Sequence, residues 1–142
     1  MDLALELAQE AEHSGEVPVG AVIVQNGRII GRGKNEVIAR SDPTAHAEIL
    51  ALRDAGERIG SYRLEGADLY VTLEPCIMCA GAILQARIRR LFYGAYDPKA
   101  GAVDSLYKLL GDLRLNHRVE VTAGIGEDEA REILQRFFVV RR

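Results

Sequence analysis

His46, Glu48, Cys76 and Cys79 are the side chains of this chain whose types and spacing can do chemistry. They stand as His-Ala-Glu at 46–48 and as Pro-Cys-Ile-Met-Cys at 75–79. One imidazole and two thiolates make three ligands for a tetrahedral zinc ion, one per chain, whose fourth position stays open for water. A carboxylate nearby that is not a ligand can then move protons. With only two cysteines in the sequence, a structural site of four thiolates is excluded. Cys-x-x-Cys alone would also fit a redox couple, and a lone histidine a satisfied core position. Read jointly, the residues favour a metal that does chemistry, with His46, Cys76 and Cys79 as ligands and Glu48 as the catalytic proton carrier. His13 falls on the polar side of a first helix, and His117 lies in an arginine-flanked loop. Both are read as surface groups, His117 as a nucleic-acid contact.

Positioning these groups requires a defined order of elements. Leu3, Leu7 and Ala11 recur at helical spacing and stop at Gly15. Val17 to Val24 is apolar on both faces, as a buried strand is. Asn26-Gly27 signals a hairpin, with Arg28 to Gly33 returning. Asp42 as N-cap and Pro43 at the first helical position open a helix that passes Glu48 and stops at Gly56. A strand over 67–73, a helix over 76–86, a strand over 90–93 and a short helix over 103–110 follow. A strand over 119–122 and a helix over 128–139 complete the chain. The expected fold is α/β, three layers α/β/α around a mixed five-stranded sheet, in a single domain over 1–142. Both motifs then fall at helix N-termini, where the dipoles favour thiolate and hydroxide. Cys76 and Cys79 share a helical face, whereas His46 and Glu48, two residues apart, converge only if the metal lies off the helix end.

The net charge of −3 argues against binding through bulk phosphate neutralisation. Residues 1–60 carry six basic and ten acidic side chains, and residues 61–142 carry twelve and eleven, so positive charge is local. It gathers at Arg87, Arg89 and Arg90, at Asn116-His117-Arg118, and at Arg136, Arg141 and Arg142. Singly these are solvated surface arginines; grouped on one rim they would form a nucleic-acid footprint. The apolar runs are too short to span a bilayer, and no cleavage site follows the first helix. The expected location is cytoplasmic, with thiols reduced unless bound to metal.

His-x-Glu followed by Pro-Cys-x-x-Cys is the known signature of zinc nucleobase deaminases, shared with guanine and cytosine deaminases. Beyond it, the chain resembles the bacterial tRNA adenosine deaminases over nearly its full length. The stretches that carry the resemblance are 16–21 (EVPVGA), 42–48 (DPTAHAE), 69–76 (LYVTLEPC), 78–82 (MCAGA), Gly101-Ala102, 116–120 (NHRVE) and Phe137-Phe138. The resemblance implies a cytidine deaminase-like fold, a homodimer, and conversion of the wobble adenosine to inosine in the anticodon stem-loop of an arginine tRNA. It implies that Asn35 contacts the target nucleotide and that Asp97 lies beside the anticodon strand. Tyr96 and Ala100 depart from the family pattern around that loop, and the sequence ends at Arg142 without a lysine-rich extension. The first feature implies altered contacts to flanking nucleotides; the second implies either fewer phosphate contacts or a trimmed C-terminus. Two other readings compete: a deaminase of a free base or nucleoside, guanine or cytosine, and a non-catalytic zinc-stabilised RNA-binding module.

Overall fold

Small residues set how closely helix and strand approach in this protein, and that approach places the candidate site. The structure, a computed structural model, describes residues 1–141. Its elements run α1 (Asp2–His13), β1 (Gly20–Gln25), β2 (Arg28–Lys34), α2 (Ala47–Ile59), β3 (Asp68–Leu73), α3 (Ile77–Gln85), β4 (Arg90–Ala95), β5 (Glu120–Thr122) and α4 (Glu127–Val140). The strands form one five-stranded sheet in the order β2-β1-β3-β4-β5. β1 is antiparallel to both β2 and β3, while β3, β4 and β5 run parallel. The expected mixed sheet is present. Asn26 and Gly27 both take positive φ, +52° and +75°, which closes the β1–β2 hairpin in the sense that matches strand twist.

α2 and α3 cover one face of the sheet, and α1 and α4 cover the other. The larger core lies under α2 and α3 and includes Ile23, Leu69, Val71, Ile83, Leu91 and Tyr93. A smaller cluster of Leu5, Ala95, Ala130 and Ile133 lies under α1 and α4. Ala47, Ala51 and Ala55, one helical turn apart, are fully buried on the face of α2 that meets β2. Opposite them, a Cβ on Gly33 would stand 2.2 Å from the Ala47 carbonyl and 2.6 Å from the Ala51 nitrogen. Gly33→Ala is therefore expected to destabilise the protein by about 3 kcal/mol, as overpacking against backbone does. Chemical denaturation should show this, with a matching loss of activity because the displaced turn carries Glu48.

Several boundaries differ from expectation. α1 buries Ala4, Leu5, Ala8 and Ala11, so the Leu3–Leu7 stripe lies at the edge of the contact. β1 begins at Gly20, not Val17. Asp42 does not cap a helix: its Oδ1 accepts hydrogen bonds from the backbone N–H and hydroxyl of Thr44, closing a local turn. The helix starts four residues later than expected, at Ala47 with His46 as its N-cap, and ends at Gly60 (φ +70°) in place of Gly56. No α-helix forms over 103–110; only a 3₁₀ turn at Leu109–Gly111 is present.

The basic cluster is largely engaged within the chain. Arg89 and Arg90 both pair with Asp68, and Arg136 pairs with Glu12. The Arg141 guanidinium lies 3.8 Å from the Phe137 ring centroid. His117 is half-buried and its Nε2 lies 2.7 Å from the Ile88 carbonyl oxygen, so it is a backbone tether and not a free surface group. Arg142 lies outside the described residues. Among the described residues no helix is long and apolar enough to cross a membrane.

Candidate active site

Two N-cap residues face each other at the heart of the site. His46 caps α2 with extended backbone (φ −75°, ψ 152°), and Cys76 caps α3 in the same way (φ −77°, ψ 178°). Because His46 stands outside the helix, the conflict of two residues at i and i+2 on an ideal helix disappears. The extended backbone turns the imidazole off the helix end, while Glu48 occupies the first turn behind it. His46 Nδ1 then lies 3.6 Å from Cys76 Sγ and 3.5 Å from Cys79 Sγ.

These distances suit a metal. Zinc–sulfur and zinc–nitrogen bonds of about 2.3 and 2.0 Å at tetrahedral angles set sulfur and nitrogen about 3.5 Å apart. Among the described residues these three ligand atoms, all within 4.8 Å of one another, are the group that could hold an ion. Neither sulfur is in a disulfide. Three donors leave a fourth position open, as catalytic sites require and closed structural sites do not.

The electrostatics follow from burial and crowding. The Cys76 thiol is drawn down to about 4, chiefly by its hydrogen bond with Cys79 and further by His46. Cys79 is pushed up by the Cys76 sulfur beside it and by burial. Crowding thus opposes ionising both sulfurs in the absence of metal, and a cation that binds both displaces the thiol proton that remains. Cys76 also raises the His46 imidazole.

Glu48 is only 4 % exposed, and burial pushes its carboxyl up to about 7. A proton carrier poised near neutrality suits general acid–base work. The same shift bears on stability. In the unfolded chain this carboxyl titrates near 4.5, so between pH 4.5 and 7 the folded state binds the extra proton. Stability of the metal-free protein falls as pH rises through that window, by about 3 kcal/mol at completion. Glu48→Gln should then raise the melting temperature in chelator at pH 8 and leave it unchanged near pH 4.

A cavity of about 320 Å³ opens over the cluster. His46, Glu48 and Cys76 line it together with Asn35, Asp97 and Phe137. All six sequence-predicted residues therefore converge, with Cys79 buried just behind Cys76. Asn35 has a structural duty as well: its Oδ1 accepts the Ala47 N–H at 2.8 Å. It thus satisfies one of the free N–H groups at the start of α2, which the His46 side chain does not cap. Asp97 Oδ1 accepts the N–H groups of Lys99 and Ala100 at 3.1 and 3.2 Å.

Sequence reasoning missed two residues of the cavity wall, Glu16 and Glu74. Both are almost fully buried carboxylates. Glu16 accepts the backbone N–H groups of Ile38 and Ala39 at 3.1 and 2.9 Å, and Glu74 fixes the opposite loop. Their sequence signal was an acid set beside a proline-punctuated apolar run, Glu16-Val17-Pro18 and Leu73-Glu74-Pro75.

Zinc nucleobase deaminases exchange an exocyclic amine for water at an ion held by histidine and two cysteines. The fold and the cluster place this chain in that class. The sequence matches the MafB19-like deaminase family over residues 1–142. It is 54% identical to the tRNA-specific adenosine deaminase of Haemophilus influenzae, across 100% of this chain and 83% of that protein. The chain belongs to the tRNA-specific adenosine deaminase family. A solved structure from studies of A-to-I editing by tRNA:A34 deaminases superposes with a TM-score of 0.91 at 53% identity. That match covers 94% of this chain and 97% of the other. A guanine deaminase from Nitrosomonas europaea shares the fold at a TM-score of 0.85 and 25% identity, covering 97% of this chain and 82% of that one.

Proposed function

We propose that this chain hydrolytically deaminates the wobble adenosine of a tRNA anticodon loop to inosine. The observation that carries the reading is the three-donor cluster with buried Glu48 at the floor of one cavity, in a chain 54% identical to a relative of that activity. His46 Nδ1 and the sulfurs of Cys76 and Cys79 would hold zinc. Bound there, zinc supplies a Lewis acid and brings water close to ionising at neutral pH. Glu48 takes a proton from the attacking water and delivers it to the purine ring. It then carries the second proton to the amine that leaves C6, so adenosine and water become inosine and ammonia. The backbone N–H groups at the start of α3 present positive potential to the developing oxyanion.

Asn35 contacts the target nucleotide in this reading, with its amide already fixed by the Ala47 N–H. Asp97 lies beside the anticodon strand. Flipping the base into the cavity costs little because a loop nucleotide starts single-stranded. We further propose a homodimer in the cytoplasm. In support, an apolar groove of about 710 Å³ lies between α2 and α3, lined by Ile49, Leu52, Tyr62, Ala82 and Ala86. Light scattering should give twice the chain mass, and Leu52→Arg should give monomers.

The internal pairing of Arg89, Arg90 and Arg136 favours a competing reading, a deaminase of a free base, because it leaves less charge for phosphates. Incubation with a hairpin bearing an A-C-G loop, and separately with guanine and with cytidine, distinguishes the two. Ammonia and inosine from the hairpin support the proposal. Ammonia from a free base alone would falsify it.

A further inference from the structure

We propose that Glu74 is a positioning residue for the substrate side of this site, whose carboxylate folds residues 97–105 into the wall that presents Asp97 and Ala100 to the cavity. The role rests on the deaminase reading above.

Glu74 is 2 % exposed, and its two oxygens collect hydrogen bonds from both ends of one loop. Oε1 accepts the Asp97 N–H at 3.0 Å and the Ser105 hydroxyl. Oε2 accepts the N–H groups of Val103, Asp104 and Ser105 at 3.1, 2.8 and 2.9 Å. Five donors aimed at one buried carboxylate make a nest that a neutral side chain cannot reproduce. An amide there would offer a single acceptor oxygen and turn its NH₂ toward the remaining donors.

The loop so formed touches both halves of the site. Asp97 and Ala100 line the cavity, while Ala102 donates its N–H to the Pro75 carbonyl at 2.8 Å and Gly101 bridges to Cys76. Gly101 makes the fit possible. A Cβ at that position would stand 2.3 Å from the Glu74 carboxyl carbon, so alanine would push the carboxylate out of the nest. Glu74 and Gly101 are thus two handles on one contact, one chemical and one steric.

The test uses the wild-type chain, Glu74→Gln, Gly101→Ala and Ser105→Ala with the A-C-G hairpin, together with zinc analysis and amide hydrogen exchange. In wild type the amides of Val103, Asp104 and Ser105 should exchange as slowly as those of the sheet. Glu74→Gln and Gly101→Ala should each raise KM about tenfold or more, since small misplacements of a positioning wall are costly. Turnover at saturation should stay within about threefold, as expected when binding and not the chemical step is lost. Zinc should stay at one per chain. Ser105→Ala removes a single donor and should raise KM by about threefold. Rapid exchange of the three amides in wild type overturns the proposal even if a variant fails to fold. So does an unchanged KM, or a fall in kcat at constant KM. A wild-type chain inert on the hairpin overturns the functional reading and this role with it. An active wild type matched by Glu74→Gln overturns the role alone.

Discussion

Glu48→Ala should bind zinc and the anticodon hairpin as wild type does and yet turn over more slowly by a factor on the order of 10²–10⁴ or more. The size of the effect follows from what the carboxylate does and what surrounds it. Glu48 is buried in the first turn of α2, against the cluster and open to the cavity. It lies outside the donor group formed by His46, Cys76 and Cys79, so its removal leaves the ligand set intact. The other acids of the cavity wall, Glu16, Glu74 and Asp97, are each held by backbone N–H groups. Single-turnover kinetics with metal analysis on the same sample would check this. Loss of zinc in step with activity would make Glu48 a structural residue. Undiminished turnover would remove it from the mechanism.

Cys76→Ser should lose the metal and much of the stability together. Cys76 is the N-cap of α3 and its sulfur lies 3.6 Å from His46, so it ties the two halves of the cluster. A metal that binds only the folded chain stabilises it by about 4 kcal/mol when present at a thousandfold excess over its dissociation constant. The variant should therefore melt where the wild type melts in chelator, and added zinc should raise only the wild-type transition. Equal melting of the two proteins in excess zinc would contradict a role for Cys76 as ligand. The comparison in chelator also separates metal loss from any damage to packing.

The two loops that form the cavity walls show where local pattern and tertiary structure part. Asp42-Pro43 satisfies the rules for starting a helix, and it equally satisfies those for an Asx turn. Locally the two are nearly equivalent. Contacts from elsewhere choose between them: Asn35 at the end of the hairpin takes the Ala47 N–H, and Glu36 donates its N–H to the Ala45 carbonyl. Helix therefore begins after His46, and that shift lets the imidazole and Glu48 serve one site.

Val103 to Leu110 illustrates the same competition. Its apolar spacing suits a helix, and Val103 and Leu110 are indeed buried. The N–H groups of residues 103–105, however, are taken by a carboxylate nearly thirty positions earlier in the chain. The later amides do not find helical partners either: Leu106 and Leu109 donate to the carbonyls of Gly101 and Ala102, five and seven positions back, so the segment stays a loop.

What the chain's sequence determined unaided is its donor set, its hairpin turn and the order of its strands and helices, apart from the helix expected over 103–110. These depend on residue type and on neighbours a few positions away. What the tertiary structure alone decided is the two carboxylates that fold the cavity walls, the pairing of Arg89 and Arg90 with Asp68, and the helix start that frees His46. Each of these joins groups far apart in sequence, and the partner of a buried charge or a free N–H becomes known only once the chain has folded around it.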